Sequence, residues 1–171
     1  MNLFSKLIPD GSFERVDEIT PNMLRKAGIC AVVCDLDNTL TPYHTLEATD
    51  YADRWLRMLI DDGFSVMVLS NNRRKYHIDE FCGKYGIGGV HFAKKPFKSG
   101  FLRAIAALNV SPDKILFVGD QIFTDIFGSK RCNMKAAIVR SISENERFHY
   151  RIRRLFELPF INAGKNGQLL R

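Results

Sequence analysis

Ile29-Cys30-Ala31-Val32-Val33-Cys34-Asp35-Leu36-Asp37-Asn38-Thr39-Leu40 decides the fold. Its first six residues form an apolar run with the β-branched and small side chains of a strand buried on both faces. Two carboxylates follow, one residue apart, where that strand should end. Side chains alternate along an extended segment, so Asp35 and Asp37 point to the same side. A carboxylate at the carboxyl end of a buried parallel strand stands where open α/β sheets place their ligands. Two like charges there require a cation, a proton or a reaction.

Outward from this stretch, strand and helix signals alternate. Strands are expected at 29–36, 65–70, 89–92, 114–118 and 136–140. A helix opens at Thr20-Pro21, as cap and first position, and closes at Gly28. Further helices are expected at 49–61, carrying Trp55, Leu56, Leu59 and Ile60 at helical spacing, and at 73–85, 98–108 and 124–131. The pattern predicts an α/β fold, a Rossmann-like doubly wound parallel sheet with helices on both faces. One domain is expected over residues 1–160, with its core at about 29–140 and a basic helix at about 145–157. Residues 161–171 read as a flexible tail.

The chain has 171 residues and is 46% hydrophobic, ordinary for a globular protein with a sizeable core. No apolar run approaches the ~20 residues of a membrane span. The first ten residues are too interrupted for a signal-peptide core, so a cytoplasmic location is expected. Cys30, Cys34, Cys82 and Cys132 show no zinc spacing and read as reduced, structural thiols. His44, His77, His91 and His149 show no metal spacing, and His44 reads as a solvated loop residue. The net charge of +6 is uneven: residues 131–171 hold 9 basic and 3 acidic residues, which is the whole excess.

Three more polar clusters follow expected strands. They are Ser70-Asn71-Asn72, then Lys94-Lys95-Pro96, then Gly119-Asp120-Gln121 with Thr124-Asp125 a turn later. In a parallel sheet these ends share one edge, so the residues can converge. Their types suit phosphoryl transfer. Asp35, Asp120 and the backbone near Asp37 offer hard oxygens for Mg²⁺. A carboxylate nucleophile can take the phosphoryl group, and Asp37 can move the protons. Ser70 and the amides that follow it can bind phosphate oxygens, while Lys95 or Lys94 offsets the accumulated charge. Each piece alone has a plainer reading: a turn, an N-cap, a solvated lysine, a helix-dipole partner. Four such accidents at four consecutive strand ends, in the order Asp-x-Asp, Ser, Lys, Asp, favour a site.

Asp35-Leu36-Asp37-Asn38-Thr39, Ser70, Lys95 and Gly119-Asp120-x4-Asp125 resemble the four motifs of the haloacid dehalogenase-like superfamily. The resemblance implies that Asp35 is the nucleophile and Asp37 the acid/base. It also implies Mg²⁺ held by Asp35, the carbonyl of Asp37 and Asp120, with Asp125 supporting them. Thr39, Ser70, Asn71 and Lys95 are the expected phosphate binders. Leu7-Ile8-Pro9-Asp10, Ile19-Thr20-Pro21 and Ser70-Asn71-Asn72 extend the likeness to the YqeG group of subclass IIIA phosphatases. That group is similar to the mitochondrial phosphatidylglycerophosphate phosphatase, which makes a lipid phosphate one candidate substrate and phospholipid metabolism one setting.

About thirty residues separate Asp37 from Ser70, and fewer separate Ser70 from Lys95. Neither interval has room for a cap domain, so an open site is expected. In the basic segment, Phe148, Ile152, Leu155 and Phe156 form an apolar stripe flanked by Arg147, Arg151, Arg153 and Arg154. The plainest reading is a stripe packed on the domain. A peripheral contact with an anionic membrane comes next, and a contact with nucleic acid after that. The expected function is thus a Mg²⁺-dependent phosphomonoesterase acting through an aspartyl-phosphate. The rival reading is a non-catalytic phosphate- or RNA-binding module, for instance ribosome-associated, working through the basic helix.

Overall fold

The structure, a computed structural model, describes residues 3–43, 45–143 and 157–164. Six strands form one sheet: β1 (Gly11–Phe13), β2 (Ala31–Cys34), β3 (Ser65–Leu69), β4 (Gly88–Val90), β5 (Ile115–Gly119) and β6 (Lys135–Val139). Their order is β1-β6-β5-β2-β3-β4, and every pairing is parallel. The helices are α1 (Pro21–Lys26), α2 (Asp50–Asp61), α3 (Lys75–Tyr85), α4 (Lys98–Leu108) and α5 (Phe127–Arg131). This is the expected Rossmann-like α/β architecture.

Alternation along the strands builds two cores. Val32 and Cys34 of β2, Val66 and Val68 of β3, and Leu116 and Val118 of β5 pack into one cluster with Trp55, Leu56 and Leu59 of α2 and Phe81 of α3. Ala31, Val33, Met67, Leu69, Ile115 and Phe117 face the other way, onto Phe101 and Ala104 of α4. With both faces covered, the strands must be apolar throughout, which is why they read as unbroken runs. Side-chain caps start two helices: Thr20 accepts from Met23 N–H at 3.3 Å, and Thr49 from Ala52 N–H at 3.4 Å. The indole N–H of Trp55 donates to the Ile19 carbonyl at 2.8 Å, tying α2 to the segment before α1.

From β2 the chain adds β3 and β4 on one side, then crosses back to add β5 and β6 on the other, where β6 comes to lie beside β1, the first strand of the chain. The reversal lies between β2 and β5, so a crevice opens beyond their carboxyl ends. Between Asp37 and Ser70 the described residues form α2 and β3, and between Ser70 and Lys95 they form α3 and β4. Three details depart from expectation, the first being β1, a strand outside the expected set. The segment expected to be helical from Thr124 begins earlier, as a π-helical turn over Ile122–Ile126, and becomes α-helical only at Phe127. Residues 157–164 are helical, so the expected boundary between domain and tail at 160/161 falls inside a helix. The reason is packing: Ile161 is 7% exposed and clusters with Ile122, Ile126, Ala136 and Ile138. The basic helix expected at about 145–157 lies, apart from Glu157, outside the described residues.

Candidate active site

Beyond β2 the chain makes one last sheet contact, Asp35 N–H to the Val118 carbonyl at 2.8 Å, and then turns sharply. The Leu36 carbonyl accepts from Leu40 and Thr41 N–H groups at 3.0 and 3.1 Å, while Asn38 N–H donates to the Thr41 carbonyl at 2.7 Å. Asn38 takes φ 65°, a left-handed conformation that Asn tolerates. The turn aims Asp35 and Asp37 into a cleft of about 400 Å³, whose lining includes Ser70, Asn71, Lys95 and Gln121.

Ser70, one residue past β3, donates to Asp37 Oδ2 at 3.5 Å and accepts from Asn72 N–H at 3.0 Å. Lys95 enters from the loop between β4 and α4. Its ammonium lies 2.6 Å from Asp35 Oδ1 and 2.7 Å from Asp125 Oδ1, with a side chain 3% exposed. Lys94 instead is exposed and rests over the Phe92 ring at 4.8 Å, which leaves Lys95 as the lysine of the cleft. Asn71 differs from expectation. Its amide is turned onto the Lys95 main chain, accepting from Lys95 N–H at 2.6 Å and donating to the Lys95 carbonyl at 3.2 Å. Backbone groups sealed in by the loop need partners, and this side chain supplies both. Thr39 is buried beneath the turn, its hydroxyl without a hydrogen-bond partner.

Asp120 follows β5, and the π turn carries Asp125 back beneath it. Asp125 Oδ2 accepts from Gln121 N–H at 3.1 Å. Gly119 is what lets that carboxylate come so close, because a Cβ there would stand 2.5 Å from Asp125 Oδ2. One carboxylate oxygen from each of Asp35, Asp120 and Asp125 can gather within 4.8 Å of the others, and all three residues are buried.

The electrostatics follow from burial. Burial pushes the Asp35 carboxyl above the usual carboxylate range, and the ammonium of Lys95 offsets that only in part. Burial also works against the Lys95 ammonium, yet Asp125 and Asp35 more than compensate and hold its pKa above the ordinary lysine value. The neighbouring Cys34 thiol is driven upward by burial and then by the Asp35 charge, so it stays neutral and is no rival nucleophile. Asp35 and Asp125 thus share one ammonium, and Asp120 gathers beside them. Excess negative charge on hard oxygen donors fits a divalent cation such as Mg²⁺.

The cleft also includes Asn38, Tyr43, Asn72, Arg74, Gln121 and Thr124, which sequence reasoning did not assign to the site. Arg74 and Asn72 adjoin the Ser70 cluster, and Gln121 and Thr124 lie within the Asp120 cluster; proximity to those strand ends was the available signal. His44 lies outside the described residues.

The family of haloacid dehalogenase-like hydrolases matches residues 43–133, more than half of the chain. That span holds Ser70, Lys95, Asp120 and Asp125 and begins just past Asp35 and Asp37. The chain is 27% identical over 158 residues to the Bacillus subtilis protein named "Probable phosphatase YqeG", covering 92% of this chain and 91% of that one. A structure of an uncharacterized protein from Listeria monocytogenes aligns with a TM-score of 0.57 at 20% identity, over 70% of this chain and 85% of the other. A Legionella pneumophila structure assigned to subfamily III A of the HAD superfamily aligns with a TM-score of 0.51 at 16% identity, over 86% and 91%. These two structural likenesses concern the fold.

Proposed function

The chain belongs to the haloacid dehalogenase-like hydrolases and is a phosphatase, and from that premise we propose a Mg²⁺-dependent phosphomonoesterase that works through an aspartyl-phosphate. The observation that carries this reading is the buried contact of Lys95 with Asp35 and Asp125, beside Asp37 and Ser70 in one cleft.

Asp35 is the nucleophile. A carboxylate oxygen attacks phosphorus in line with the ester oxygen, the bond from phosphorus to that oxygen breaks, and Asp37 gives the departing oxygen its proton. Asp37 Oδ1 is buried with no hydrogen-bond partner, so a proton there is not tied to another side chain. Water then attacks the phosphoryl group, Asp37 takes the water's proton, and the bond from Asp35 to phosphorus breaks. Inorganic phosphate leaves and the Asp35 carboxylate is restored.

Ser70 and the Lys95 ammonium bind the phosphoryl oxygens and balance their charge. Asn71 acts one step back, holding the main chain of Lys95. Asp35, Asp120 and the carbonyl of Asp37 would hold Mg²⁺, with Asp125 supporting them. The ion when bound would supply charge neutralisation on the phosphoryl oxygens.

A lipid phosphate is the first substrate to try, since among the described residues nothing caps the cleft and such a cleft can receive a phosphate carried by something large. The test is Mg²⁺-dependent phosphate release from phosphatidylglycerophosphate and from soluble phosphomonoesters, with Asp35→Asn as the blank. Turnover lost in Asp35→Asn and in chelator, and regained with Mg²⁺, is the expected result. Turnover that survives either treatment overturns the mechanism.

A further inference from the structure

The loop that carries Asp120 and Asp125 is held from outside the four motifs. Glu157 is 1% exposed, and its Oε1 accepts the Ile122 N–H at 3.1 Å. Ile122 opens the π turn between Asp120 and Asp125. The amide just before it, Gln121 N–H, goes to Asp125 Oδ2 at 3.1 Å. Two consecutive amides are therefore both received by carboxylates, one from within the turn and one from a helix 35 positions later. Bonds of an N–H to an ionised oxygen are stronger and more directional than neutral ones.

The helix that brings Glu157 is well seated. Ile161 packs with Ile122 and Ile126, and the Phe160 ring meets Phe123 edge-on at 6.5 Å. Gly164 lies directly against the Pro9 ring, leaving no room for a side chain. The helix thus rests on the turn itself. Asp120 is fixed on its N-terminal side by β5 and on its C-terminal side by this turn.

We propose that Glu157 is a positioning residue for the cation site: by fixing the Ile122 amide it sets how closely Asp120 and Asp125 approach Asp35, and hence how tightly a divalent cation binds. The proposal rests on the reading that Asp120 and Asp125 serve a metal. Glu157 touches neither ion nor substrate. Hydrogen bonds that orient metal-binding groups commonly change affinity by roughly 10- to 100-fold when removed.

The test uses the full chain and Mn²⁺ as the probe. Direct Mn²⁺ binding is titrated in the absence of substrate for the parent, Glu157→Ala, Glu157→Gln and Asp120→Asn, alongside amide hydrogen exchange at residues 120–126. Glu157→Ala is expected to weaken Mn²⁺ binding roughly tenfold. It should also speed exchange at the turn while leaving the KM for a soluble phosphomonoester at saturating metal unchanged. Glu157→Gln keeps an acceptor oxygen in place and is expected to stay within about twofold of the parent. A folded Glu157→Ala that binds Mn²⁺ as the parent does overturns the proposal while Asp120→Asn still loses the ion. If Asp120→Asn binds like the parent, the metal reading falls and the proposal with it. If both Glu157 variants fail to melt cooperatively, Glu157 serves global stability alone, which also overturns it.

Discussion

The Lys95 ammonium stands 2.6 Å from Asp35 Oδ1, with the two side chains 3% and 8% exposed. The same ammonium serves Asp125 at 2.7 Å, so one cation ties the loop after β4 to the ends of β2 and β5. Lys95→Met strands two buried carboxylates, and breaking a buried pair costs about 3–5 kcal/mol. A large drop in melting temperature together with loss of phosphate release is expected. Lys95→Arg should restore neither in full, because a planar fork does not replace a compact point charge. A Lys95→Met variant that melts like the parent would contradict the ion-pair account.

Asp37→Asn is expected to fold normally and to lose about 10²- to 10⁴-fold in turnover of alkyl phosphates. In the first step, read as the pre-steady-state burst of leaving-group release, the loss should be much smaller for p-nitrophenyl phosphate, whose leaving group needs no proton, while the later hydrolysis of the aspartyl-phosphate slows for both substrates. Equal losses in that first step on the two substrates would remove Asp37 from the role of general acid.

Asn71→Ala leaves both main-chain polar groups of Lys95 without their amide partner, a cost of about 1–3 kcal/mol where water cannot replace it. Because the loop it releases carries the cleft's lysine, kcat should fall more than the loss of one surface amide would suggest. Steady-state kinetics beside a denaturant melt separates the two effects. Wild-type kcat in a destabilised variant would make Asn71 purely structural.

Gly119→Ala places a methyl group against the Asp125 carboxylate. Overpacking of this kind costs about 1–3 kcal/mol, and here the yielding group is a carboxylate of the cation site. Weakened metal activation in a protein that still melts cooperatively is the expected outcome, read from the Mg²⁺ dependence of turnover.

Far from the cleft, Asp53 accepts from Arg57 and from the Tyr85 hydroxyl, and the bond from Arg57 holds its carboxyl below the usual range. A carboxyl whose pKa is depressed by folding stabilises the protein above its unfolded value, about 4, and loses that contribution as pH falls through the folded value. Asp53 is partly exposed, so the effect is small and screened by salt. Asp53→Asn should lower stability slightly at pH 7 and low salt, and parent and variant should converge in acid. Urea melts at both pH values check this.

The sheet was legible because its central strands are buried on both faces and leave unbroken apolar runs. β1 was not, since Gly11-Ser12-Phe13 has no period to read. It is placed from outside by Asp10, which accepts from Lys130 at 2.8 Å and from Ala136 N–H at 2.8 Å. The π turn was hidden for a related reason. Asp125 and Ile126 N–H groups both reach the Gln121 carbonyl, at 3.0 and 3.2 Å, and spacing cannot distinguish such widening from a normal helix start. That Asp35, Asp37, Ser70, Lys95, Asp120 and Asp125 come together was legible because strand ends converge. The bonds of Asn71 to Lys95 and of Glu157 to Ile122 leave no sequence signal, because each spends its side chain on the main chain of a distant loop.

The contact between Pro9 and Gly164 brings the last described turn of helix against the segment just before β1. The cleft depends on where strands stop, and the order in which they are synthesised does not enter. A circularly permuted gene, with the chain bridged between Pro9 and Gly164 by a short linker and new ends opened in the exposed turn around Asn109, would deliver the same strand ends to the same edge. Half of the chemistry would then be encoded before the other half in reversed order, with no change in what the folded protein presents.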